Sequence, residues 1–273
     1  MTILNAISSR GQRLLLSVMS GTALLAISLT AQSYSLDVPY VPTPAQVVNR
    51  MLELAEVGPD DTVIDLGSGD GRIAIAAVKD HGAKRAMGVD LNPERVSEAR
   101  ANATDAGVAD KVEFREQNLF DTDFSEATVL TMYLLPDVNV ALRPKILDLK
   151  PGTRVVSHAF DMDEWEADVF ERVDGRSVHL WVVPAQVEGQ WKVDTPEGDL
   201  QLQLTQTFQQ VEGTARGANG ADLPITGSLK GSAIRLVLGE GDAAKTYTGN
   251  VQGSSMLLAP AGSTDQNWKG ARQ

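Results

Sequence analysis

From Thr62 to Val183 the chain keeps two alternating rhythms. Short apolar runs of strand length are TVIDL (62–66), RAMGVD (85–90), KVEFRE (111–116), ATVLTMYLL (127–135) and TRVVSHAF (153–160). Between them lie stretches with helical spacing: Arg72 to His81, Pro93 to Ala106 and Pro136 to Leu149. Their punctuation agrees, with Asn92-Pro93 opening one helix, Gly107 closing it, and Lys150-Pro151-Gly152 stopping the last. Around Asp174-Gly175 two strand-like runs, VFERV and RSVHLWVV, face each other as a hairpin. Alternating strands and helices predict an α/β fold, a mostly parallel sheet covered on both faces. The hairpin would add antiparallel edge strands, and DMDEWEAD (161–168) reads as a solvated acidic helix.

The rhythm changes at both ends. Upstream, VPYVPTP cannot be a helix interior. Thr43 and Pro44 read as the N-cap and first position of a helix carrying Val47, Val48, Met51, Leu52 and Leu54. Beyond Val187 the helical period disappears, and alternating runs separated by glycine turns predict a small all-β unit after the linker Pro184-Ala185-Gln186. With about 85 residues it is short for an eight-stranded barrel, so an open or truncated barrel is an expectation here. At the start, Arg10 and Arg13 precede the apolar run LLLSVMSGTALLAISLTAQS, and Ala31-Gln32-Ser33 is a small-x-small site. That is the layout of a signal peptide or membrane anchor. It places the rest of the chain outside, exported or anchored at the membrane, with a cytoplasmic-facing body as the alternative. Three parts result: 1–33 for targeting, 34–185 for the α/β domain and 186–273 for the β unit.

Composition narrows the chemistry. A net charge of −12 argues against a nucleic-acid partner, which needs clustered Lys and Arg. The absence of cysteine removes disulfides and thiolate chemistry, and His81, His158 and His179 are too dispersed for a metal site.

The informative stretch is DLGSGDGR (65–72), between the first strand and the helix that follows. A glycine turn there points backbone N–H groups and a helix N-terminus at a ligand. The spacing Gly67-x-Gly69-x-Gly71 is not the dinucleotide fingerprint, whose third glycine would fall on Arg72. Asp65 before the turn would repel a pyrophosphate but attract an ammonium. Asp90, at the end of the next strand, can accept hydrogen bonds from ribose hydroxyls. A ligand with a ribose, an amino-acid ammonium and no phosphate fits both carboxylates, and S-adenosylmethionine is such a ligand.

DLGSGDGR followed by GVDLNP resembles the first two motifs of seven-strand S-adenosylmethionine-dependent methyltransferases. With PYVPTPAQVVNRML upstream and MYLLPDVNVALRPKI downstream, residues 38–183 resemble the protein-lysine methyltransferases that include the mitochondrial enzymes acting on ATP synthase c-subunit and the adenine nucleotide translocase. The resemblance implies a Rossmann-like seven-strand sheet with flanking helices and transfer of a methyl group to a protein lysine. It implies that Asp65, Gly67, Ser68, Gly69 and Gly71 line the methionine end of the cofactor and that Asp90 holds the ribose. Asn118 stands where many such enzymes carry an acid near the adenine. Tyr133 and Pro136 fall at the acceptor edge, and Tyr40 and Thr43 would fold over the cofactor mouth. His158 follows the fifth strand, where a packing role competes with a catalytic one. In the tail, EGQW and NWKGAR resemble the opening and closing strands of small lipocalin-like or avidin-like barrels. A methyltransferase, for protein lysine or a small molecule, and a non-catalytic nucleoside-binding protein are both compatible with these residues.

Overall fold

The computed structural model of the chain describes residues 40–217, 220–263 and 268–273. The expected signal peptide or anchor lies outside the described residues. Among those described, no helix is long and apolar enough to cross a membrane.

Helix α1 (Ala45–Leu54) buries Val47, Val48, Met51 and Leu52, an i, i+1, i+4, i+5 stripe facing one way. Then come β1 (Thr62–Leu66), α2 (Arg72–Lys79), β2 (Arg85–Asp90), α3 (Pro93–Asp105), β3 (Val112–Glu116), β4 (Val129–Met132), α4 (Pro136–Leu147), β5 (Arg154–His158), β6 (Val169–Val173) and β7 (Arg176–Val182). They build one seven-stranded sheet in the order β3-β2-β1-β4-β5-β7-β6. Strands β1 to β5 are parallel. Of the hairpin only β7 runs antiparallel, inside the sheet; β6 takes the edge and runs with the others. Strands β1 and β4 are buried through nearly their whole length, which matches helices packed on both faces.

Two expectations change. Thr43 does not cap α1; Pro44 holds the N-cap position, and the Thr43 hydroxyl is spent elsewhere. The run 161–168 is no helix. It crosses from the end of β5 to the start of β6 as a loop pinned by an isolated bridge between Met162 and Trp165, both fully buried. Two large apolar anchors three residues apart outweigh the surrounding carboxylates.

The tail is a closed barrel of eight antiparallel strands, not an open or truncated one. Its strands are β8 (Gly189–Thr195), β9 (Gly198–Thr207), β10 (Gln210–Arg216), β11 (Asp222–Lys230), β12 (Ala233–Leu238), β13 (Lys245–Gln252), β14 (Ser255–Pro260) and β15 (Trp268–Arg272), closed by β15 on β8. The chain suffices because several connections, such as Phe208-Gln209 and Gly253-Ser254, span two residues. Inward-facing Trp191, Leu204, Ile225, Leu236, Val251 and Leu258 fill the interior. Gly213, Gly227 and Gly249 lie so close to a neighbouring strand's carbonyl oxygen that a Cβ would strike it.

The barrel meets the sheet away from the glycine turn. Ala185 donates to the carbonyl of Gly231 in the β11–β12 turn, beside Gly152 in the turn before β5. Phe208 stacks on Trp165 at 6.0 Å, with the Arg143 guanidinium 5.3 Å from its ring. Gln209 donates to the Glu166 carbonyl.

Candidate active site

The strand order reverses between β1 and β4, where an open parallel sheet leaves a crevice beyond its carboxyl ends. The 67–71 turn and the 133–135 segment both lie there. In the turn Gly67, Gly69 and Gly71 all have positive φ (73°, 52° and 81°). A Cβ on Gly69 would sit 2.5 Å from the Tyr40 ring, and one on Gly67 would sit 2.7 Å from Leu134. The turn therefore needs glycine for its backbone path and for space.

Asp90 fastens this turn. One carboxylate oxygen accepts from the Gly69 N–H and the other from the Asn92 N–H, each at 2.9 Å. A carboxylate has about four acceptor sites, so each oxygen keeps one lone pair for a ligand. Asp65 is almost wholly buried; its Oδ1 accepts from the Thr131 hydroxyl at 2.7 Å, while Oδ2 has no protein partner. Burial first, then the charges of Asp90 and Asp70, push the Asp65 carboxyl up to about 7 against the pull of that hydrogen bond. A buried carboxylate oxygen without a partner is costly and fits an ammonium. The Ser68 hydroxyl is buried without a partner beside it in the same turn. Asn118 makes a local turn, its side-chain oxygen accepting from the Phe120 N–H at 3.0 Å.

The segment before α1 lies against this turn. Arg72 pairs with Asp70 and donates to the Thr43 carbonyl at 2.9 Å. Burial acts to raise the Asp70 pKa, but Arg72 wins and holds it below the usual range. Tyr40 packs on Gly69 under the Arg95 guanidinium, and its hydroxyl is raised by burial and by the nearby Asp70 charge. Tyr40 and Thr43 thus meet the glycine turn and the residue that follows it.

Tyr133 follows β4, with its ring 4.0 Å from that of His158 and 6.3 Å from that of Phe160. His158 is buried; one ring nitrogen lies 3.0 Å from the Thr43 hydroxyl and Nε2 has no partner. Burial, then the Arg176 charge, lowers its pKa to about 4, so the ring is neutral. Pro136 opens α4 and is exposed. Sequence reasoning missed the grouping of Thr43, Tyr133, His158 and Phe160. Its only signal was that His158 ends the strand neighbouring Tyr133. Among the described residues, no cluster of His, Cys, Asp or Glu is arranged to hold a metal.

A Gly-rich turn after β1 beside a buried unpaired carboxylate, with a second carboxylate at the end of β2, defines an S-adenosylmethionine-dependent methyltransferase. Residues 65–169 match the family described as "ANTKMT methyltransferase domain". A "Protein-lysine N-methyltransferase" of Saccharolobus islandicus (strain REY15A) is 51% identical over 156 residues, covering 55% of this chain and 97% of that protein. The mouse "Adenine nucleotide translocase lysine N-methyltransferase" is 37% identical over 132 residues, covering 48% of this chain and 57% of the mouse protein. A crystal structure of an RNA methyltransferase from Salinibacter ruber with S-adenosyl-L-homocysteine is 54% identical, with a TM-score of 0.53, over 54% of this chain and 96% of that one. The chain belongs to the protein-lysine N-methyltransferase family. These matches cover about half of its length.

Proposed function

We propose that the chain methylates the ε-amino group of lysine in a protein. The observation that carries this is the 51% identity to a protein-lysine N-methyltransferase across 97% of that relative. S-adenosylmethionine supplies an activated methyl group when bound. In this reading Asp65 faces its ammonium through Oδ2, Asp90 receives the ribose hydroxyls, Gly67, Ser68, Gly69 and Gly71 form the floor, and Asn118 stands at the adenine side. Tyr133 lines the acceptor side and Tyr40 covers the mouth.

The protein's tasks are to align a neutral amine and exclude water. An ammonium has no lone pair, so the lysine must shed its proton before reacting. Removal from water lowers an amine's pKa, and a neutral His158 beside Tyr133 adds no charge to oppose transfer. No dedicated base is required.

An RNA acceptor is the second reading, favoured by the name of the Salinibacter ruber relative. The net charge of −12 opposes it. The N-terminal run is proposed to export the chain or to anchor it facing outward. Purified protein with methyl-tritiated S-adenosylmethionine would be offered protein and RNA fractions, and labelled protein hydrolysed to amino acids. Methyllysine is the expected product; label confined to RNA would overturn the proposal.

A further inference from the structure

Three observations converge on the residues that end β5. First, Ala159 has φ +71°, a left-handed conformation costly for a residue with a Cβ, and its neighbours close a three-residue turn, with the Phe160 N–H donating to the His158 carbonyl at 3.0 Å. Second, the surroundings over-determine that turn. The Ser157 hydroxyl donates to the Phe160 carbonyl at 2.6 Å, Asn139 donates to the carbonyls of Phe160 and Asp161, and the Ala159 N–H donates to Ser177 on β7. Third, the turn's two aromatic side chains, His158 and Phe160, are the ones packed on Tyr133. Strained backbone kept in place by this many bonds is characteristic of functional sites.

We propose that the His158–Phe160 turn positions the acceptor side of the active site. His158 and Phe160 hold the Tyr133 ring in one orientation. Thr43, on the segment latched to the glycine turn by Arg72, fixes the His158 imidazole in turn. The chain of contacts joins cofactor turn, Arg72, Thr43, His158 and Tyr133, so the acceptor wall is completed only when the 40–44 segment lies in place. The buried Nε2 without a partner fits a ring chosen for shape and neutrality over hydrogen-bonding capacity. His158 and Phe160 are positioning residues, acting through Tyr133. The proposal rests on Tyr133 lining the acceptor side.

The test uses the full chain labelled with 13C at tyrosine, which gives only four tyrosines to resolve; loss of signal in Tyr133→Phe assigns Tyr133. In wild type the two edges of the Tyr133 ring should give separate, slowly exchanging signals. Thr43→Val and His158→Ala should merge them by fast flipping, while Thr43→Ser keeps them separate. On whichever acceptor fraction the wild type labels, Thr43→Val and His158→Phe should each lower kcat about tenfold with S-adenosyl-L-homocysteine affinity unchanged. The double variant should be no worse than either single one. Ala159→Gly, which relieves the backbone, should keep or raise the melting temperature while lowering kcat. Fast ring flipping in wild type, or activity lost only in step with folding and cofactor affinity, would overturn the proposal. Label in RNA alone would remove the lysine reading and leave the ring measurement to decide this one.

Discussion

The sheet and the barrel use glycine and polar groups differently. In the sheet, Gly67, Gly69 and Gly71 bend the backbone into positive φ and let the side chains of Leu134, Tyr40 and Phe114 lie against the turn. In the barrel, Gly213, Gly227 and Gly249 leave space that the neighbouring strand's own backbone takes up. At the glycine turn the Asp65 Oδ2 and the Ser68 hydroxyl are buried without protein partners, whereas in the barrel the indole N–H of Trp268 is so. The barrel interior is lined by Trp191, Val193, Leu202, Leu204, Ile234 and similar side chains. Buried carboxylate and hydroxyl oxygens without protein partners at the glycine turn fit a ligand. The barrel's core is apolar, and its contacts with the sheet lie away from the glycine turn.

The largest effect that sharpens this contrast comes from pH. Asp65 at about 7 binds a proton in the folded chain that the unfolded chain has already lost. Its contribution to stability therefore falls as pH rises from about 4 to 7, by at most about 4 kcal/mol. His158, lowered to about 4, acts oppositely: its contribution is full above about 6.5 and is lost as pH falls through 4. The two nearly cancel between pH 4 and 6.5. Denaturant titrations across this window should show a shallow profile in wild type and a clear rise of stability with pH in Asp65→Asn. A bound ammonium beside Asp65 favours its charged form. Calorimetry should then find S-adenosyl-L-homocysteine binding tightening as pH rises toward 7, by up to about tenfold per pH unit, in wild type, and a flat profile in Asp65→Asn.

Next come paired glycine substitutions. Gly249→Ala drives a Cβ into the Leu257 carbonyl and should cost about 1–3 kcal/mol of stability, seen as a lower melting temperature with unchanged cofactor affinity. Gly69→Ala meets the movable end of the Tyr40 ring at positive φ. It should weaken S-adenosyl-L-homocysteine binding about tenfold, reflecting about 1–2 kcal/mol of backbone cost, with a smaller change in melting temperature. Equal effects of the two on binding would erase the distinction.

The smallest effect belongs to Asn118→Asp. The oxygen that accepts from the Phe120 N–H is retained, so affinity should change by less than about threefold, within the net value of one neutral hydrogen bond. A titration showing a tenfold change would give Asn118 a larger part in binding.

The parallel strands were legible because TVIDL and RAMGVD are short apolar runs beside helices with clear caps. The glycine turn after β1 was legible because its residues are contiguous in sequence. What sequence patterning missed depends on long-range pairing. The Thr43 hydroxyl looks like a helix cap and becomes a partner of His158, 115 positions away. DMDEWEAD looks like a solvated helix because six of its eight residues other than Met162 and Trp165 are polar, charged or small, yet those two anchors decide its path. Barrel closure was hidden because strand count depends on two-residue turns, and a length argument does not register them.

The most direct test is a calorimetric titration of S-adenosyl-L-homocysteine into wild type, Asp90→Ala and Gly249→Ala. Losing two charge-assisted contacts and the ribose partner, Asp90→Ala should bind about 100-fold more weakly. Gly249→Ala should bind as tightly as wild type at a temperature where both are folded. Wild-type affinity in Asp90→Ala, or lost binding in folded Gly249→Ala, would contradict placement of the cofactor site at the end of the sheet, independent of the barrel.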